Sequence, residues 1–378
     1  MNTTFSRVDT SVVGRWWWTV DRGILLAIAL LITVGTILGL AASPAVASRL
    51  GLDSHHFVQR QFIYLVPAIA VMLGVSLLAP VSVRRLAAIM FLVLIPMMIL
   101  TMIMGAEIKG SRRWLRIASL TVQPSEFLKP AFIVVSAWML AEGRRNLAFP
   151  GIRISAILFG LVIGLLLLQP DFGQTALISA VWLSQLFLAG MPWFWVWAGS
   201  LSAVAGGFIA YSMVGHVASR INRFFDPTSG DTYQVDTALN AFRTGGLFGR
   251  GPGEGVVKQV LPDAHTDFIF AVAGEEFGLI VCLFVAGLFA FVVLRGISRL
   301  MQENDLFIVL AAGGLLIMFG LQAMINIGVN LNLLPSKGMT LPFVSYGGSS
   351  LLALAIAMGM VLAMTRIRVG APGEGGGR

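Results

Sequence analysis

The segment Leu261-Pro-Asp-Ala-His-Thr-Asp-Phe-Ile-Phe270 holds the carboxylate best placed for chemistry. Asp267 stands where a polar stretch enters a long apolar run. A carboxylate at such an edge loses part of its hydration, which raises its pKa toward the range of a useful general base. The same position also reads as a helix N-cap, with Thr266 or Asp267 as the capping residue. His265 and Asp267 are two residues apart, a poor basis for tetrahedral zinc, and no second His or Cys cluster accompanies them. Farther along, Glu275 and Glu276 lie about 80° and 180° around a helix from Asp267 at 100° per residue. Both cannot comfortably face lipid.

Other charged residues gather in a few places. Lys109-Gly-Ser-Arg-Arg-Trp-Leu-Arg116 packs four basic residues and a Trp into eight positions, an interfacial basic patch that includes Lys109 and Arg113. Gln123-Pro-Ser-Glu-Phe-Leu-Lys-Pro130 reads as a helix start, with Glu126 and Lys129 spaced i,i+3 on one face. Ionisable residues inside a span are functional candidates. The plainer reading is a mutually neutralised pair that fixes helix position. Gln169-Pro-Asp-Phe-Gly173 breaks two apolar runs, and Asp171 at the break caps a helix, lines a cavity, or both.

The long stretch 215–267 carries Gly245-Gly-Leu-Phe-Gly-Arg-Gly-Pro-Gly-Glu-Gly255, with Arg250 and then Lys258. It is no dinucleotide fingerprint, because no strand precedes it. Its glycines could let backbone N–H groups approach a phosphate. Composition alone favours a flexible loop. Downstream, Gln322, Asn326 and Asn330 recur every four residues and make one polar stripe on an apolar helix. The expectation is that this stripe faces the Glu275/Glu276 helix in a polar bundle interior. Leu334-Pro-Ser-Lys-Gly-Met-Thr-Leu-Pro-Phe-Val-Ser-Tyr-Gly-Gly-Ser-Ser350 contains Lys337, and its prolines and glycines preclude a continuous helix. It reads as a structured re-entrant or outer loop. It is not a Gly-x-Ser-x-Gly elbow, and no Ser-His-Asp order supports a hydrolase.

The elements that must position these groups follow from composition. Of 378 residues, 57% are hydrophobic and 12% charged, against about 25% charged in soluble domains. The implied solvent is a bilayer. The apolar runs are unbroken, which disfavours a membrane β-barrel. With about 20 residues per span, the runs give ten spans, near 24–47, 62–80, 86–104, 126–141, 153–168, 174–190, 194–214, 268–294, 306–331 and 346–365. The predicted fold is an all-α polytopic membrane protein with about ten transmembrane helices, one large extracytoplasmic loop (215–267) and re-entrant segments. A segment 1–22 precedes a single transmembrane domain, 23–366, and a tail 367–378 follows it. The first span is too long, and its polar lead too extended, for a cleaved signal peptide. Trp16, Trp17 and Trp18 form an interfacial belt before it.

Ten spans place both termini on one side, and arginine density in the short loops makes that side cytoplasmic. All four lysines and all four histidines then fall on the outer side or at the outer end of a span. A lysine ammonium is a point-charge ligand for phosphate, so an outward anion site is one reading, with ordinary surface lysines the other. The formal charge of +8 reads as topology and lipid contact, not nucleic-acid binding. The lone Cys282 reads as a small buried hydrophobe.

Four segments together resemble the SEDS family of bacterial membrane proteins, which polymerise peptidoglycan glycan strands. They are Lys109–Leu115 with Gln123–Lys129, Gln169–Gly173, His265–Gly278 and Leu334–Ser350, in the family's order. The form Pro-Ser-Lys-Gly-Met-Thr-Leu-Pro-Phe is more similar to division than to elongation members. Thr237-Ala238 departs from the Gln-Ser that many members carry after Tyr-Gln. The resemblance implies a ten-helix lipid II glycosyltransferase with Asp267 as the catalytic carboxylate. Asp267 would deprotonate the GlcNAc 4-hydroxyl of an acceptor lipid II, and undecaprenyl pyrophosphate would leave. Lys109, Arg113, Arg250, Lys258 and Lys337 are candidates to stabilise that pyrophosphate, with a divalent cation (Mg or Mn) as a candidate helper and no organic cofactor. An FtsI-like class B penicillin-binding protein transpeptidase and other divisome membrane proteins are the implied partners, in the inner membrane at the septum. Two alternatives stand beside this reading. One is a lipid II flippase using Glu126, Lys129, Asp171, Glu275 and Glu276. The other is a noncatalytic division scaffold.

Overall fold

The apolar runs fold as helices because only an intrasegment ladder satisfies backbone polar groups in hydrocarbon. A computed structural model of the chain describes residues 11–367 apart from 50, 52, 54–55, 109–110, 118–119, 214, 216–217, 220–221, 223, 225–232 and 336–337. Lys109 and Lys337 therefore lie outside the described residues. A short helix α1 (Val12–Thr19) precedes α2 (Arg22–Arg49), α3 (His56–Ser76) and α4 (Pro80–Met104). A three-stranded antiparallel sheet follows, β1 (Ala106–Ile108), β2 (Ser111–Ile117) and β3 (Leu120–Val122), in the order β1-β2-β3. Then come α5 (Pro124–Arg145), α6 (Gly151–Leu168), α7 (Phe172–Leu188) and α8 (Trp193–Met213). The long 215–267 stretch carries α9 (Tyr233–Gly245), and α10 (Ile269–Leu300), α11 (Leu306–Asn330) and α12 (Gly348–Met364) follow.

The ten long helices α2–α8 and α10–α12 coincide with the ten predicted spans. Among the described residues, six of them are long and apolar enough to cross a membrane by length and hydropathy alone. Helix α5 falls short for a physical reason. It packs against α4, α6, α7, α11 and α12, so nearly all of its first half is buried in protein and it can carry charge. The two ends of the described chain meet on one face, where Ile367 N donates to Thr19 O at 2.9 Å. Cys282 is buried, as its apolar surroundings imply.

Two features differ from the sequence reading. The basic patch is built on strands that no sequence signal announced: β2 pairs with both neighbours, and Arg112 meets Glu107 across the β1–β2 pair at 3.3 Å. The second difference is in α10, which breaks at Gly278 (φ 77°). The glycine-rich stretch fills that break. Arg250 N and Gly251 N donate to Glu275 O and Glu276 O, while Gly246 O and Leu247 O accept from Leu279 N and Ile280 N. Backbone groups freed by the kink are thus satisfied by the loop, the condition for a broken helix inside a bilayer. At Gly249 (φ 80°), a Cβ would come within 2.1 Å of Glu276 O. So 246–251 is not a flexible linker, and Gly246 N, Gly249 N, Arg250 N and Gly251 N are not available to cradle a phosphate, being spent on α9 and α10.

Candidate functional site

Asp267 is half-buried in the turn that leads into α10. Three successive carbonyls fix that turn. His265 O accepts from Tyr346 N at 2.9 Å, and Thr266 O accepts from Ser345 Oγ at 2.6 Å. Asp267 O accepts from both Asn326 Nδ2 and Asn330 Nδ2, each at 2.9 Å. Asn326 Nδ2 also donates to Met339 O at 2.6 Å, tying the turn to the loop before α12. That loop passes beside the carboxylate: a Cβ on Gly338 would sit 3.5 Å from Asp267 Oδ2. The capping alternative for Thr266 and Asp267 fails. Phe268 holds the N-cap position without a side-chain bond, and Ala271 N is instead satisfied by Asn330 Oδ1 at 3.1 Å.

The predicted stripe therefore faces the bundle interior and the start of α10, but its partners are not Glu275 and Glu276. Gln322 Nε2 donates to Thr340 O at 3.1 Å, and its Oε1 accepts from Lys129 Nζ at 3.2 Å. Lys129 Nζ donates to Glu126 Oε2 at 2.9 Å, and Gln174 Nε2 donates to Glu126 Oε1 at 2.6 Å. Asp171 caps α7 by accepting from Gln174 N at 3.3 Å, as its capping reading predicted. Arg113 Nη1 lies 3.4 Å from Asp171 Oδ2, and the same guanidinium donates to Gln169 O and Pro170 O. A polar chain thus runs from the β2 patch through α7, α5 and α11 to the turn that bears Asp267.

Glu275 and Glu276 hold the 256–258 segment of the long loop. Glu275 Oε1 accepts from Val256 N at 2.6 Å and Val257 N at 2.7 Å, and its Oε2 accepts from Lys258 N at 2.9 Å. Glu276 pairs with Lys258 Nζ, which also donates to Gly253 O at 3.1 Å. This corrects the reading of Lys258 as an outward phosphate ligand, because its ammonium is buried and neutralised. Arg113 is likewise committed to the 169–171 turn, and the Arg250 side chain is exposed. Gln174, Thr340 and Ser345 were missed as site residues. Gln174 had a signal, standing three residues after Asp171 at a helix break, but neutral polar residues beside a Pro-Asp break read as turn chemistry.

His265 is buried beside Phe57 and Tyr346, with ring centroids 4.7 and 5.4 Å away. Burial lowers its pKa to about 4, opposed by Asp263 and reinforced by Arg49. The unfolded chain, with an ordinary imidazole near 6.5, binds a proton more readily between those values. Stability is therefore level above about pH 7 and falls as the pH drops from 6.5 toward 4. Thermal midpoints across that window are expected to fall for the wild type and to fall less for His265→Phe.

Among the described residues, no group of three or more His, Cys, Asp or Glu could hold a metal ion. Asp267 would be the residue to hold a Mg or Mn ion here, together with substrate phosphate oxygens, and the ion would supply charge neutralisation.

Comparison with known proteins places this geometry in context. The model of the FTSW_RODA_SPOVE family, described as "Cell cycle protein", matches residues 22–369. A protein of Caulobacter vibrioides named "Probable peptidoglycan glycosyltransferase FtsW" is 48% identical over 373 residues, covering 98% of this chain and 96% of that one. A protein of the same name from Coxiella burnetii is 36% identical, covering 91% of this chain and 96% of that one. A solved structure described as "Structural coordination of polymerization and crosslinking by a peptidoglycan synthase complex" aligns with TM-score 0.75 at 26% identity, over 92% of this chain and 98% of that one. The Thermus thermophilus rod shape determining protein RodA aligns with TM-score 0.69 at 26% identity, over 92% and 97% of the two chains.

Proposed function

The chain belongs to the FtsW–RodA–SpoVE family of cell cycle proteins, and on that premise we propose that it is a peptidoglycan glycosyltransferase of the FtsW type, polymerising lipid II with Asp267 as general base. The observation that carries this reading is the turn at 265–267. Three fixed carbonyls hold its backbone while the Asp267 carboxylate lies half-buried beside Gly338. Such a carboxylate is oriented by its scaffold before substrate arrives, which is what proton transfer in a transition state requires.

The chemistry balances as one displacement. Asp267 takes the proton from the GlcNAc 4-hydroxyl of the acceptor lipid II. That oxygen forms a bond to the MurNAc anomeric carbon of the lipid-linked donor, whose bond to pyrophosphate breaks. The anomeric centre inverts, and undecaprenyl pyrophosphate leaves with the electron pair. Arg250, with Lys109 and Lys337, is the set assigned to the leaving charge. Lys258 and Arg113 act at one remove, holding the outer loop and the 169–171 turn. A divalent cation would add charge neutralisation at the pyrophosphate when bound.

The partner assigned to this chain is an FtsI-like class B penicillin-binding protein transpeptidase with other divisome membrane proteins. The site of action is the septal inner membrane, with the termini cytoplasmic. The internal pairing of Glu126 with Lys129 and of Glu276 with Lys258 favours synthesis over transport. A flippase would need those charges along a substrate pathway, whereas here each is buried against its counter-ion.

Purified protein with its transpeptidase partner, given fluorescent lipid II, is expected to yield glycan polymers resolved on a gel. Reconstituted in vesicles, the same protein is expected not to move lipid II between leaflets. Transbilayer movement without polymer would overturn the reading.

A further inference from the structure

On the face where the chain ends meet, opposite the Asp267 turn along α10, lies a charged cluster that the proposed reaction does not use. Asp21 is buried and caps α2, accepting from Gly23 N at 2.9 Å and Ile24 N at 3.2 Å. The same carboxylate receives Arg295 Nε at 2.9 Å and Arg299 Nε at 2.8 Å. Gly23 permits the approach, since a Cβ there would stand 2.9 Å from Arg295 Nε. Both guanidinium groups are thus held side-on. Their terminal Nη atoms are not hydrogen-bonded to any described residue, and two cations against one carboxylate leave a net positive charge.

Beside this cluster, an open groove of about 420 Å³ runs along one face of α10 and its C-terminal end, lined by Phe291, Leu294, Arg295, Ser298, Arg299 and Gln302. Its lining is graded along α10. Phe291 and Leu294, toward the middle of the bundle, are apolar and exposed, and the last turns are polar and basic. The adjoining α1–α2 junction carries aromatic and basic groups as well. Arg22, next after Asp21, stacks over Trp17 and Trp18 at 5.1 and 4.6 Å from their ring centroids, an interfacial arrangement of aromatic and basic groups.

We propose that this open groove binds the phosphate headgroup of an anionic phospholipid from the leaflet on that face, with the Nη groups of Arg295 and Arg299 on the phosphate oxygens and Phe291 and Leu294 against the start of the acyl chains. Forked guanidinium groups suit phosphate oxygens, and basic pockets at helix ends attract anionic lipid. Because the arginines also hold Asp21, the lipid braces the contact of α2 with α10, the helix whose other end bears the catalytic turn.

The test uses the full chain in nanodiscs of phosphatidylcholine, with and without phosphatidylglycerol, read by native mass spectrometry and thermal midpoint. The informative variant is Ser298→Glu with Gln302→Glu. Both positions are exposed, and neither touches Asp21. Wild type is expected to retain phosphatidylglycerol and to gain midpoint from it, and the variant to bind it about tenfold or more weakly. The variant's midpoint in pure phosphatidylcholine should match wild type, and Gln302→Glu alone should give an intermediate loss. Equal retention of phosphatidylglycerol by wild type and variant would overturn the proposal. So would equal protection of wild type by free inorganic phosphate, which would make the site a reader of phosphate without the lipid.

Discussion

Lys129→Met is expected to destabilise the folded protein by about 3–5 kcal/mol, the cost of leaving a buried charge without its partner. Methionine fills much of the lysine's volume, so packing is not the main loss. What remains is the Glu126 carboxylate, buried, with Gln174 Nε2 as its remaining hydrogen-bond donor. Gln322 Oε1 loses its donor in the same step. The double variant Glu126→Gln, Lys129→Met removes both charges, and most of the loss should return. Thermal midpoints of the three variants in one detergent check this. A double variant as damaged as Lys129→Met would contradict the pairing account. Glycan synthesis should track stability in this series, because among the described residues the pair is linked to Asp267 through Gln322, Thr340 and the loop beside Gly338.

Much of this architecture was legible because a bilayer leaves few choices. Unbroken apolar runs had to be helices, so ten spans followed from run length and hydropathy. The four-residue spacing of Gln322, Asn326 and Asn330 had to put them on one face, and the structure turns that face inward. Asp171 between Pro170 and Phe172 had the chemistry of an N-cap and is one.

What escaped the sequence depends on partners far along the chain. Lys258 was grouped with the outer lysines because composition shows which side a cation lies on, not which carboxylate it meets. Its partner Glu276 stands 18 residues away across a loop. Gly278 is one of 42 glycines, and no local signal marks it. Its positive φ, and the use of 246–251 to satisfy the broken ladder, arise from tertiary packing. Asn330 capping the start of α10 is likewise a contact between helices that no local rule announces.

Asp267→Asn carries the largest expected effect on activity. Asparagine is nearly isosteric and keeps the backbone carbonyl that Asn326 and Asn330 hold, so the turn should survive. The substitution removes a group able to accept the acceptor's proton. General-base catalysis contributes about 10²–10⁴-fold, so the rate should fall by that order. The thermal midpoint should stay close to wild type. Asn330→Ala provides the contrast. It leaves the carboxylate in place but removes one support of the Asp267 carbonyl and the acceptor for Ala271 N. It should lower both stability and rate, whereas Asp267→Asn separates them.

The direct measurement is the initial rate of lipid II polymerisation by wild type and Asp267→Asn, each folded, at equal concentration and with the same transpeptidase partner. The account predicts a rate for Asp267→Asn lower by about a hundredfold or more. Undiminished glycan synthesis by the folded variant would contradict it.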